Sequence, residues 1–161
     1  MLDCGLFQGM GRDTDSYNAQ FGFDAKTINY VILSHAHIDH TGLLPKLAAE
    51  GFRGKIYCTP ATKALTEILL EDSAMIQRDD AKYKNKRLAR EGMPQVEPLY
   101  TIDDVNLLLP MLQSVEYDKP YTISEQVELL FTEAGHIIGS AAVNLKIKEN
   151  KTMQTLTFSG D

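Results

Sequence analysis

Apolar and polar positions along the 161-residue chain fall into short blocks whose period changes from one block to the next. Residues 27–34 (TINYVILS) are a near-continuous run of β-branched and apolar side chains, which predicts a buried strand. Residues 41–50 place Leu43, Leu44, Leu47 and Ala48 on one helical face, with Gly51 as a C-terminal cap. Pro45 suits that helix only in the first turn, where a missing N–H costs little. Residues 55–59 (KIYCT) read as a short strand, and Pro60 sits where the next helix begins. That helix runs through residues 61–90, with Leu65, Ile68, Leu69, Met75 and Ile76 at helical spacing and a charged far end in solvent. Thr101 reads as an N-cap and Asp103 and Asp104 as the acidic first turn of a helix ending near residue 109. From Tyr121 onward the pattern is that of strands, at 127–132, 140–148 and 153–158. The last two are joined by a polar turn of Lys148, Glu149, Asn150 and Lys151. Alternating strands and helices followed by a meander predict an α/β architecture with helices flanking mixed sheets.

Composition changes this picture little. The length suits one domain, residues 1–161, with an ordinary core. No apolar stretch is long enough for a bilayer, and Met1, Leu2, Asp3, Cys4 and Gly5 lack the basic start of a signal peptide. Cys4 and Cys58 are too far apart for a CxxC site and read as reduced thiols of an intracellular, cytoplasmic protein. The net charge of −6 argues against a large nucleic-acid-binding face on this stretch of chain. Lys82, Lys84, Lys86, Arg87 and Arg90 are a local exception, read as a solvated helix face.

The candidate chemistry is concentrated. His35, His37, Asp39 and His40 lie within six positions directly after the predicted buried strand. In extended chain, side chains two apart point the same way. His35, His37 and Asp39 are therefore expected to converge, with His40 aimed differently as the helix starts. One short segment can thus serve two neighbouring metals. Imidazole and carboxylate are donors suited to zinc. A lone histidine is most often a packed or surface residue, but three with an Asp have no good packing explanation. The fourth histidine, His136, sits between Gly135 and Gly139 in a loop joining two strands, and Asp161 follows another strand. Glycines there let backbone approach a crowded site.

Together these stretches resemble the metallo-β-lactamase superfamily, with HxHxDH at residues 35–40 as its signature. The resemblance implies a partial αββα sandwich. It assigns His35, His37 and His136 to one metal, and Asp39 and His40 to a second. Asp161 would bridge the two, and Asp3 would support the ligand histidines from behind. Within the superfamily the likeness is to the β-CASP RNA-processing nucleases. It is carried by LDCGLFQG at 2–9, LSHAHIDHTGLLPKL at 33–47, GKIYCTPATKAL at 54–65 and EAGHIIGSA at 133–141, with LEDSAMI at 70–76 and YTIDDV at 100–105 in support. The long spacer between His40 and His136 fits that group better than small relatives such as glyoxalase II.

The resemblance implies two divalent metals, zinc foremost, and hydrolysis of an RNA phosphodiester at a metal-activated hydroxide oriented by Asp39 and Asp161. On the family's pattern, the first strands, a final ligand histidine and the β-CASP domain that grips RNA fall outside residues 1–161. The second metal is then expected to bind weakly, activity of this stretch alone to be poor, and a bare sheet edge to favour self-association. Two other readings compete. One is a different hydrolase on the same fold, of thioesterase or lactamase type. The other is a non-catalytic metal-binding scaffold.

Overall fold

In a computed structural model, which describes residues 1–9, 11–150 and 152–161, the strands form two sheets packed face to face. The first sheet is parallel: β1 (Tyr30–Ile32) pairs with β2 (Lys55–Cys58), and β2 with β3 (Leu112–Ser114). The second is an antiparallel meander of β4 (Tyr121–Ser124), β5 (Val127–Glu133), β6 (Ala141–Glu149) and β7 (Thr152–Phe158). The strand expected over 27–34 is thus shorter. Residues 25–27 instead make a 3-10 turn, because the Asp24 carboxylate accepts from the Lys26 N–H and the Asp24 carbonyl accepts from the Thr27 hydroxyl. Beyond Ile32 the chain still donates from Leu33 N to Tyr57 O. Ser34 O then accepts from Ala141 N at 2.8 Å, which ties the parallel sheet to the meander. Of the turn expected at 148–151, Asn150 adopts φ 56°; Lys151 lies outside the described residues.

Two apolar cores result. Ile32, Tyr57, Val115, Leu129, Phe131, Val143 and Leu145 fill the space between the sheets. Val31, Leu33, Ile56 and Cys58 face the other way, against Leu43, Leu44, Leu47, Leu70, Val105 and Leu108 of the helices. The layers are therefore helix, sheet, sheet, and the described helices contribute nothing to the inter-sheet core. Cys4 and Cys58 are free thiols in the helix-side core, and burial pushes both up to about 12. No described helix is long and apolar enough to cross a membrane.

The helices are α1 (Thr14–Ala19), α2 (Ile38–Thr41), α3 (Leu44–Ala49), α4 (Pro60–Arg90) and α5 (Ile102–Leu108). The single helix expected over 41–50 is two, α2 and α3, broken at Gly42 and Leu43. Pro45 does lie in the first turn of α3, and Leu43, Leu44, Leu47 and Ala48 are all buried. Thr101 and Asp104 form a reciprocal capping box on α5. The basic residues at the far end of α4 are exposed as expected.

The apolar series of α4 is not its buried face. Ile68, Leu69, Met75 and Ile76 are exposed, whereas Thr62, Thr66, Leu70, Ala74 and Ala81 are buried. Those five include two threonines and two alanines, side chains that let the helix lie close on its neighbours. The edge of the parallel sheet beside β1 is taken by the start of the chain. Residues 1–3 run along it, with Met1 O accepting from Ile32 N and Ile32 O accepting from Asp3 N, both at 3.0 Å. Among the described residues β3, β4 and β7 each have a strand on one side only, and β7, beside β6, exposes all but its last residue.

One contact fixes the loop between β5 and β6. The Gly139 carbonyl accepts from the hydroxyls of Thr59 and Thr62, at 2.7 and 2.8 Å, at the start of α4. Gly139 has φ +89°, and a Cβ there would stand 2.5 Å from Thr62 N. Only glycine fits both the conformation and the space.

Two outcomes follow for stability. Leu70→Ala should cost ~2–5 kcal/mol in denaturant unfolding, while Ile76→Ala should stay within about 0.5 kcal/mol; similar costs would mean that the wrong face has been identified as buried. Gly139→Ala should lower the melting temperature and shift the amide signals of residues 134–140 in NMR spectra. Unchanged loop signals would show that the contact with α4 does not set the loop.

Candidate metal centre

The centre is assembled at the ends of β1, β5 and β7. After β1 the chain bends at Ser34, runs without regular structure through residues 35–37 and then turns into α2, so Asp39 lies in a helical turn. His35 and His37 do converge, with ring nitrogens 3.0 Å apart, but the helix that starts at Ile38 ends any two-residue period before Asp39. Asp39 does not join the first two histidines; its carboxylate lies 3.9 Å from His40 Nε2. The turn is held by residues 4–6. Cys4 N donates to His40 O, Leu6 N to Ile38 O, and Leu43 N to Cys4 O. Gly5 passes so close that a Cβ would overlap Asp39 O at 1.5 Å, so no other residue fits there.

His136 arrives from the far side. The Ser140 hydroxyl accepts from the N–H groups of both His136 and Ile137, and Tyr117 donates to Ser140 O. This places His136 Nε2 3.2 Å from His37 Nδ1, which lies 3.0 Å from His35 Nε2. Three ring nitrogens from two segments thus meet. Asp161 completes the group: one ligand atom each from His35, His37, His136 and Asp161 lies within 4.8 Å of the others.

Asp161 faces two ways. Its Oδ2 is 4.0 Å from His35 Nε2 and 3.9 Å from His136 Nε2, while its Oδ1 is 3.4 Å from His40 Nε2. One carboxylate therefore stands between the three-histidine set and the pair of Asp39 and His40. His35 is buried, His37 intermediate, and His136 and Asp161 exposed, so the cluster has a sheltered floor and an open mouth. A groove lined by Ala61, Leu65, Tyr117, Ile137 and Ile138 leads away from His136.

The donor set fits a divalent metal. Burial first, then the neighbouring imidazoles of His40 and His37, hold His35 below the ordinary imidazole value, against the opposing pull of Asp161 and Asp3. A neutral ring keeps a lone pair for a cation. Asp3 lies behind the cluster at φ 52°, an uncommon backbone state that Asp tolerates. Its carboxylate accepts from Ser34 N, Ser34 Oγ and His40 Nδ1, each at 2.7 Å.

Sequence reasoning named His35, His37, Asp39, His40, His136, Asp161 and Asp3, and the structure brings all seven to this place. Ser34, Thr59, Thr62, Ser140 and Tyr117, which position the segments carrying the cluster, were not expected from the sequence. Their signal is weak, since a serine or threonine beside a turn usually only caps it.

The metallo-beta-lactamase superfamily profile matches residues 1–129. Ribonuclease TTHA0252 from Thermus thermophilus is 38% identical over 161 residues, which cover 100% of this chain and 32% of that protein. Endoribonuclease ysh-1 from Neurospora crassa is 32% identical over 140 residues, 86% of this chain and 15% of the relative. Integrator complex subunit 11 from Danio rerio is 32% identical, with 100% of this chain and 25% of the relative covered. The chain thus spans a third or less of these relatives. Among solved structures, a Cronobacter sakazakii metallo-beta-lactamase with a HARLDQ motif superposes with TM-score 0.56 at 15% identity, covering 98% of this chain and 47% of the other. A B3 metallo-beta-lactamase with an active-site glutamic acid superposes with TM-score 0.53 at 16% identity, covering 98% and 50%. At those identities the likeness speaks for the fold, and with the profile match and the HxHxDH cluster it leads to one conclusion: this chain belongs to the metallo-beta-lactamase superfamily.

Proposed function

We propose that residues 1–161 are part of the catalytic domain of a metal-dependent RNA-processing nuclease of the β-CASP group. The observation that carries this reading is the meeting of His35 Nε2, His37 Nδ1 and His136 Nε2 beside the Asp161 carboxylate. The names of the relatives, a ribonuclease and an endoribonuclease among them, favour RNA as the substrate. A cytoplasmic location is part of the same proposal.

In this reading His35, His37 and His136 hold one divalent metal, zinc foremost. Asp39 and His40 contribute to a second, and Asp161 serves both, which its two-sided position supports. Bound metal would supply charge to the attacked phosphate and lower the pKa of water beside it. The chain's own residues then have separate tasks. Asp161 fixes the spacing of the two halves. Asp39, half exposed at the mouth, accepts a proton from the attacking water at Oδ2. His35, at the floor, keeps water from reaching the cluster from behind. With a net charge of −6, affinity for RNA must come largely from surface outside this stretch.

Self-association through a bare sheet edge belongs to the same proposal, with β7 as the edge. An unpaired, flat strand edge tends to pair with another chain.

Three outcomes are expected. Elemental analysis of purified protein should find a divalent metal, reduced in His37→Ala; equal content in both would remove the histidine assignment. The protein at its full natural length should cleave single-stranded RNA with zinc or manganese present. Asp39→Ala should slow that cleavage by ~10²-fold or more without loss of fold. Hydrolysis of a thioester or lactam with RNA left intact would instead place the protein among the other hydrolases of this fold. Light scattering should show dimers or larger species, shifted toward monomer by a lysine at Leu156; a monomer at all concentrations would contradict pairing through β7.

A further inference from the structure

Behind the cluster, three hydrogen bonds share one polarity. Asp3 Oδ2 lies 2.7 Å from Ser34 Oγ and 2.7 Å from His40 Nδ1, and Ser34 Oγ lies 3.0 Å from His35 Nδ1. A carboxylate only accepts, and a hydroxyl has one proton to give. If Ser34 gave that proton to His35, lone pairs of Ser34 and Asp3 would face each other at 2.7 Å. The proton therefore goes to Asp3, and His35 must bring its own hydrogen at Nδ1. The same carboxylate requires a hydrogen at Nδ1 of His40. Both rings are left with bare Nε2 atoms. His35 Nε2 is turned to His37 and Asp161, and His40 Nε2 to Asp161 and Asp39.

We infer that Ser34 is a positioning residue for the centre: with Asp3 it forms a proton-polarity relay that presets His35 and His40 as Nδ1–H tautomers, so one carboxylate prepares both halves of the centre. The bond made at one ring nitrogen decides the state of the other. Ser34 is 1% exposed, so no water replaces its hydroxyl at no cost. Without it, His35 is free to reverse and donate from Nε2 to His37 Nδ1, 3.0 Å away, which hides the lone pair that a metal needs. This inference rests on the metal reading for its purpose, but the tautomers themselves exist without metal.

The test is ring-¹⁵N NMR of chelator-treated protein at pH 8, paired with zinc affinity measured against a competing chelator. Wild type should show Nδ1–H on both His35 and His40. Ser34→Ala should reverse or mix the His35 tautomer, leave His40 unchanged, and weaken zinc binding ~10–100-fold. Asp3→Asn, equal in shape but able to donate, should reverse both rings. A general loss of structure would disturb both rings in Ser34→Ala and so count against the relay. An unchanged His35 in Ser34→Ala, or Nε2–H on His35 in wild type, would overturn it. The expected tautomers in a protein that takes up no zinc would leave the relay standing and overturn the metal reading instead.

Discussion

The centre depends on the burial of one imidazole. His35 is 1% exposed, yet it lies against His37, His40, His136, Asp161 and Ser34. Burial, and then the imidazoles of His40 and His37, disfavour a charged ring in that place against the opposing pull of Asp161 and Asp3. A neutral ring with one nitrogen bonded to Ser34 has a single lone pair left, and the fold aims it at the cluster. The rest of the structure serves that arrangement. The parallel sheet delivers His35, the meander delivers His136, and the bond from Ala141 N to Ser34 O joins the two sheets at that point.

The supporting contacts are backbone and hydroxyl contacts more than apolar ones. Residues 4–6 hold the α2 turn through three main-chain bonds, and Gly5 has no room for a side chain. The start of α4 grips Gly139 through two threonine hydroxyls. This explains why motifs far apart in sequence, at residues 2–9, 33–47, 54–65 and 133–141, belong to one resemblance: each supplies or braces one side of the same cluster.

The clustering of the candidate residues was legible in the sequence because histidine is scarce and all four copies lie in two short stretches. The capping box at Thr101 and the helix face of Leu43, Leu44 and Leu47 were legible for the usual reasons of chemistry and period. The buried face of α4 was not. Thr62, Thr66 and Ala74 are small, and their burial reflects close approach, which hydrophobicity does not report. Strand β3 is only three residues long and carries no alternation, so its place beside β2 is set by tertiary packing. Asp39 departs from the direction expected of extended chain because the chain turns helical at Ile38. The relay through Ser34 needed coordinates, since a serine before a histidine carries no sign of its proton.

On the proposed reading, these imidazoles form one metal centre. X-ray absorption at the zinc edge, on protein loaded with one equivalent of zinc, reads out the ligands themselves. The expected spectrum has nitrogen and oxygen ligands at about 2.0–2.2 Å, with the outer-shell scattering of three imidazoles and no sulfur. Sulfur ligation, or a spectrum with one imidazole or none, would contradict it.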